Sequence, residues 1–318
     1  MEMRYVIEAD NLYKKLGSFE LDIPRLRIPE GFATALIGEN GAGKTTLINI
    51  LAGLRLDAKG DIRWFGNVKD IDTGMTRERI GYTGPGNYYL PSWTVKQVRQ
   101  ISELLFPSFH TDRFTEWCAR LAIDVDAMTK EGKKISKLSD GNRMKLMLAG
   151  VLARDTNLLL LDEPASPLDP LMRDGLNNIL RDYLAAGDDS AASAQTDEAA
   201  PAAGGRTVFF STHNIADMES VTDYAIIMTH GKIAEEGFVE DLKEKYIMVK
   251  GDADTAGAAK EILYSFSGTG SYGYEGLCLA ADADKLSGLS VSLETPTLTQ
   301  ISVAVMKQGS HLAGVRAV

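Results

Sequence analysis

Nine residues of this chain, Gly38-Glu39-Asn40-Gly41-Ala42-Gly43-Lys44-Thr45-Thr46, have the types and the spacing to bind phosphate. They fit the P-loop pattern G-x-x-x-x-G-K-[ST]. Such a loop turns several backbone N–H groups to one side, and Gly38, Gly41 and Gly43 allow both the backbone angles and the close approach of an anion. Asn40 and Thr46 complete the candidate phosphate contacts. The helix that follows adds the partial positive charge of its N-terminus. Lys44 can reach the β- and γ-phosphates of a nucleotide, and the Thr45 hydroxyl can ligate Mg²⁺. The competing reading is a glycine-rich turn that happens to precede a lysine. The local context argues against it: residues 32–37 form an apolar run of strand type, and 46–52 read as a helix with apolar positions at 47, 50, 51 and 54.

Two further strand ends carry polar chemistry. The run Leu158-Leu159-Leu160-Leu161 fits a strand buried on both faces of a parallel sheet, and it closes in Asp162-Glu163. Adjacent carboxylates at a strand end point to different sides of the backbone. One can hold Mg²⁺ while the other polarises an attacking water. The strand at 207–210 ends in Ser211-Thr212-His213. A lone histidine or an acidic pair at a strand end is an ordinary polar turn, but ligands of parallel sheets gather at the carboxyl ends of strands, and here three such ends carry a phosphate loop, an acidic pair and a histidine. Leu138-Ser139-Asp140-Gly141-Asn142-Arg143 opens a helix over about 140–153. Ser139 is either a plain N-cap or, with Gly141, part of a second phosphate-binding helix N-terminus, and residue chemistry leaves both readings open.

The elements that must position these groups read as an α/β chain. Strands are expected over 4–8 and 19–28, with Gly17-Ser18 as the turn between them, then at 33–37, 62–65 and 80–82. Residues 92–137 are helical, with Val95, Val98, Ile101, Leu104 and Leu105 at helical spacing. A helix over 171–186 precedes a low-complexity stretch, 187–205, whose small and acidic residues cannot offset the cost of ordering, so a mobile surface insertion is expected. From 245 onward the chain reads as a small α+β appendage. It has strands near 246–249, 277–279 and 289–291, a helix over 254–264, and a last helix capped by Thr295-Pro296 and running to Met306. The 318 residues carry a net charge of −10, which argues against a nucleic-acid partner. Cys118 and Cys278 lack metal-ligand spacing and read as free thiols of a reducing compartment. The N-terminus lacks a signal-peptide pattern, and no apolar run approaches the ~20 residues that span a bilayer.

In order, these motifs resemble the ATP-binding subunit of ABC transporters. GENGAGKTT resembles the Walker A loop, LSDGN the LSGGQ signature, LLLLDEP the Walker B strand with its glutamate, Ser166-Pro167-Leu168-Asp169 the D-loop, and Ser211-Thr212-His213 the switch-histidine region. The resemblance covers about residues 4–240. Asp140, Asn142 and Pro167 depart from the pattern. So does Pro85, which stands where a Q-loop glutamine is expected, with Asn87 two residues on as a substitute. The aromatic that stacks on adenine is expected just before Gly17, where Leu16 stands; either base contact is weaker or Tyr13 supplies it.

The resemblance implies a P-loop cassette with a mainly parallel core sheet, an antiparallel β subdomain, a helical subdomain at about 86–150, and the appendage. The ATPase domain would span 1–244 and the C-terminal α+β domain 245–318. It further implies a head-to-tail dimer, homo- or heterodimeric. ATP would lie between Lys44 of one subunit and Ser139 and Gly141 of the other, with Mg²⁺ on Thr45 and Asp162. Lys44, Glu163 and His213 are the catalytic groups it implies, Glu163 as general base and His213 on the γ-phosphate. The partner would be a separate transmembrane permease contacting 86–137, powered in the direction of export from the inner face of the cell membrane. The other readings are a soluble ABC-type ATPase with a regulatory or mechanical role, disfavoured by the single cassette and absent heptads, and a binding-only subunit paired with an active partner.

Overall fold

The computed structural model describes residues 3–66, 74–86, 89–193, 205–268 and 273–309. In chain order the first half contains β1 (Tyr5–Leu16), β2 (Phe19–Pro29), β3 (Ala33–Ile37), α1 (Lys44–Leu51), β4 (Lys59–Trp64), α2 (Gly74–Glu78), β5 (Ile80–Thr83), α3 (Val95–Leu105), α4 (Thr111–Arg120), α5 (Val125–Lys130) and α6 (Asp140–Leu152). The second half contains β6 (Leu158–Asp162), α7 (Pro170–Ser193), β7 (Thr207–Thr212), β8 (Tyr224–Thr229), β9 (Lys232–Phe238), α8 (Val239–Lys245), β10 (Tyr246–Gly251), α9 (Ala256–Ile262), β11 (Ser265–Gly268), β12 (Tyr274–Leu279), β13 (Val291–Glu294) and α10 (Leu298–Gly309).

A six-stranded sheet in the order β5-β6-β7-β3-β8-β9 forms the centre, parallel except for the edge pair β8–β9. Its inner strands β3, β6 and β7 are buried on both faces. On β6, Leu158 and Leu160 pack on the side of α1 and the β1–β2 hairpin, while Leu159 and Leu161 pack on the side of α6 and α7. Both faces are therefore dry, which is why β6 reads as a continuous apolar run with no alternation. The second sheet, β2-β1-β4, is antiparallel and covers the α1 side. Its hairpin extends to Leu16 and Phe19, so β1 is far longer than the expected 4–8.

The helical segment begins with a capping box: the Gln97 N–H donates to Thr94 Oγ1 at 3.3 Å and the Thr94 N–H to Gln97 Oε1 at 2.9 Å. Of its evenly spaced apolar residues, Val95 and Val98 are buried, whereas Leu104 and Leu105 face solvent. Leu54, expected on the buried face of the first helix, is also exposed because α1 ends at Leu51. The helix before the low-complexity stretch runs on to Ser193 rather than stopping at 186; residues 194–204 of that expected insertion lie outside the described residues.

The C-terminal portion is a four-stranded antiparallel sheet, β11-β12-β10-β13. Leu298, Ile301 and Val305 of α10 belong to the same hydrophobic cluster as β6, β7 and β8. The last helix is capped by Thr297, not Thr295. The Thr297 N–H donates to Gln300 Oε1 at 2.9 Å and the Gln300 N–H to Thr297 Oγ1 at 3.2 Å, a reciprocal pair that outcompetes the Thr295-Pro296 signal just before it.

Candidate nucleotide site

The ends of β6, β7 and β3 lie side by side: Asp162 is level with Ser211, and Ile37 with Thr212. This neighbour relation brings the phosphate loop, the acidic pair and the histidine together. The loop leaves β3 and delivers Lys44 into the first turn of α1. Gly43, the N-cap, has φ 105°, and a Cβ there would lie 2.6 Å from Phe19 Cζ. Only glycine meets both demands. The Lys44 side chain is buried; its Nζ donates to Gly38 O at 2.7 Å and Glu39 O at 3.2 Å, and lies 3.4 Å from Glu163 Oε1.

The two carboxylates separate as expected. Asp162 is fully buried and its Oδ1 accepts from Ser211 Oγ at 2.5 Å, while its Oδ2 is buried with no hydrogen-bond partner among the described residues. A buried carboxylate oxygen left unpaired is costly, so this atom calls for a cation or a donor. Glu163 turns the other way. Its φ of 53° is uncommon for a residue with a side chain, and its N–H donates to Ser211 Oγ at 3.0 Å. One serine hydroxyl thus organises both acids. The Glu163 carboxylate spans Lys44 on Oε1 and His213 on Oε2, where His213 Nδ1 lies 2.7 Å away.

A cleft of about 670 Å³ collects these groups, lined by Leu16, Phe19, Asn40, Gly41, Gly43, Lys44, Thr45, Thr46, Pro85, Glu163, Ser166 and His213. Gly38 stands behind it as the acceptor for Lys44. Tyr13 is not part of it: Tyr13 pairs with Asp22 further along the hairpin, and its hydroxyl interacts with Glu20. The aromatic residue at the cleft is Phe19, opposite Leu16 across the turn. Phe19 is the first residue after Gly17-Ser18, and hairpin register alone decides which ring reaches the loop. Ser139 and Gly141 lie outside this cleft. Ser139 Oγ accepts from the Asn142 N–H at 3.2 Å as the N-cap of α6, and a Cβ on Gly141 would lie 2.7 Å from Pro167 O. The signature and D-loop segments therefore touch each other in one chain at Gly141 and Pro167, while Ser166 of the D-loop lines the cleft.

Pro85 lines the first cleft and a second one of about 770 Å³, shared also by Thr45 and bounded by Asn49, Arg55, Tyr82, Tyr89, Phe106 and Arg154. Tyr82 donates to Asn49 Oδ1 at 2.9 Å, and burial together with the charge of Asp162 pushes its phenol up to about 12. Asn87, the expected substitute for a glutamine at 85, lies outside the described residues.

A parallel sheet with a phosphate loop after β3 and an acidic pair after β6 defines a P-loop nucleotide-binding fold. The family model described as "ABC transporter" matches residues 21–166. The bacitracin transport ATP-binding protein BcrA of Enterococcus faecalis is 30% identical over 249 residues, 77% of this chain and 73% of that one. The nickel import ATP-binding protein NikO of Rhodobacter capsulatus is 30% identical over 222 residues, 67% and 80% of the two chains. A dimeric, post-hydrolysis ATP-binding cassette, MJ0796, bound to ADP and Pi has the same fold, with a TM-score of 0.58 at 21% identity over 73% of this chain and 98% of its own. Other relatives are much longer: the chain spans 13% of the ABC transporter ced-7 of Caenorhabditis elegans and 4% of human ATP-binding cassette sub-family A member 13. The chain belongs to the ABC transporter family and carries its ATP-binding cassette. Among the described residues no helix is long and apolar enough to cross a membrane.

Proposed function

We propose that the chain hydrolyses ATP to power transport through a separate membrane-spanning partner. The observation that carries this reading is the Lys44–Glu163–His213 arrangement, in which one carboxylate touches both the phosphate-loop lysine and the histidine. The unpartnered Asp162 Oδ2, with Thr45 at the start of α1, fits the donor set that Mg²⁺ takes, all oxygen. Bound there, Mg²⁺ would neutralise charge on the β- and γ-phosphates. Lys44 releases the loop carbonyls in favour of phosphate, Glu163 takes a proton from the attacking water, and His213 holds the γ-phosphate. Phe19 supplies the base contact in place of Tyr13. Ser139 and Gly141, outside the cleft of their own chain, serve the site of a second copy. The MJ0796 cassette, of the same fold, is dimeric. Loss of the γ-phosphate removes the charge that both copies grip, and the pair opens.

The second cleft is the surface for the membrane partner: it opens beside Tyr89 and Phe106, within the 86–137 segment, and meets the nucleotide cleft at Thr45 and Pro85. Such contact would hold the chain at the inner face of the membrane. The transport direction inferred is export, because Glu294-Thr295-Pro296-Thr297-Leu298 resembles the C-terminal region of exporter-type ATPases. We also propose 1–244 as the ATPase domain and 245–318 as an accessory one, in line with the separate C-terminal sheet. Replacing Glu163 by Gln tests the hydrolytic reading: ATP binding persists while turnover falls by about 10²–10⁴-fold. Unchanged turnover in the folded variant would sink the assignment. Because Pro85 puts no side-chain donor or acceptor in the cleft, a binding-only subunit is the second reading; it predicts ATP binding with no turnover even beside the membrane partner.

A further inference from the structure

The last helix of the chain is bonded to the segment that carries His213. After β7 this segment forms two single 3₁₀ turns, Ile215–Asp217 and Glu219–Val221, and buries Ile215, Met218 and Val221. Asp217 Oδ2 accepts from Arg173 Nη1 at 2.8 Å, and the same guanidinium donates through Nε to Leu168 O at 2.9 Å, gripping the loop that follows Glu163. Glu219 reaches the other way. Its Oε1 accepts from the Leu298 N–H at 3.0 Å and its Oε2 from Thr299 Oγ1 at 3.3 Å. These are first-turn groups of α10, the end of a helix that favours negative charge. The far end of α10 is tied to the C-terminal sheet by Lys307 Nζ, 2.9 Å from Ser267 Oγ. His213 itself is 45% exposed, so beyond its 2.7 Å contact with Glu163 its placement follows its backbone. That backbone is held by α7 at Asp217 and by α10 at Glu219.

We propose that the C-terminal portion tunes the nucleotide site, and that Glu219 is the positioning residue through which α10 sets His213 against Glu163. The proposal rests on the reading of Glu163 and His213 as the hydrolytic pair. Small displacements at such a pair are costly to rate, which gives a remote helix leverage over turnover without a contact to nucleotide. The coupling is physical: a rigid helix, a carboxylate and a short bonded segment.

The experiment uses the full chain with Glu219→Ala, Glu219→Gln and Thr299→Val, reading Mg-ATP turnover, ATP affinity and amide hydrogen exchange at 211–221. Glutamine keeps the acceptor for the Leu298 N–H; Thr299→Val leaves Glu219 in place and removes one bond from the helix side. Glu219→Ala lowers kcat about fivefold, leaves ATP affinity within about twofold, and speeds exchange at 213–221. Glu219→Gln restores most of kcat, and Thr299→Val gives a smaller loss in the same direction. Wild-type turnover and exchange in Glu219→Ala would overturn the proposal, as would affinity and melting temperature falling in step with kcat with no local change in exchange. If the wild type binds ATP without turning it over, the hydrolytic reading fails separately. Exchange at 213–221 and the NMR titration of the His213 ring then decide: both shift in Glu219→Ala if the helix positions His213, and neither moves if it does not.

Discussion

Ser211 explains how two adjacent acids come to do different work. Its hydroxyl donates to Asp162 and accepts from the Glu163 N–H, fixing the turn at which Glu163 adopts its left-handed backbone and swings toward Lys44 and His213. Phe19 is the second residue whose role depends on placement. Replacing Phe19 by Ala should weaken ATP binding about tenfold, as loss of an aromatic stacking platform does, whereas Tyr13→Ala should leave it unchanged; titration with a fluorescent ATP analogue separates the two. Glu236 on β9 is different again. Burial raises its pKa against the attraction of Arg25 and Arg27, and its Oε2 is buried without a hydrogen-bond partner among the described residues. The fold thus binds this proton more tightly than the unfolded chain does. The stabilising contribution is full below the ordinary glutamate pKa of about 4.3 and is lost as pH rises through the folded value. Glu236→Gln should raise the melting temperature at pH 8, and the gain should vanish near pH 4.

At the scale of elements, the signature helix and the D-loop are locked by a missing side chain. A Cβ at Gly141 would press on the Pro167 carbonyl, so Gly141→Ala should destabilise the chain by about 1–3 kcal/mol in chemical denaturation, even though alanine favours helix. The strands differ in how plainly they announce themselves. β6 is legible because four leucines in a row have few other homes. β8 and β9 are absent from the sequence-based reading, although they form the edge of the central sheet. Tyr224–Thr229 is apolar without alternation, and Lys232–Phe238 is half exposed, so neither has a clear period. The signal that finds them is the two-residue turn His230-Gly231, where both residues have positive φ, as a tight hairpin requires. The apolar spacing of α3 misleads in the opposite direction: Leu104 and Leu105 continue the helical period but pass beyond the core into solvent.

At the scale of the molecule, the cleft holds Lys44, Glu163 and His213, and leaves Ser139 and Gly141 outside. Two copies are needed to complete the proposed site, so Glu163→Gln with ATP should run at twice the chain mass by light scattering, and removal of ATP should return it to one. A chain that stayed monomeric under saturating ATP would contradict the head-to-tail arrangement. By itself the sequence determined the phosphate loop, the acidic pair and the histidine, because backbone-cradled phosphate chemistry needs those residue types at those local spacings. It also determined the parallel α/β class, through strands apolar on both faces. Tertiary structure alone decided that Phe19 and not Tyr13 meets the loop, that Ser211 holds both acids, and that Glu219 joins the last helix to the His213 segment. Each of these depends on strand register or on contacts between residues far apart in the chain, and local spacing carries no record of either.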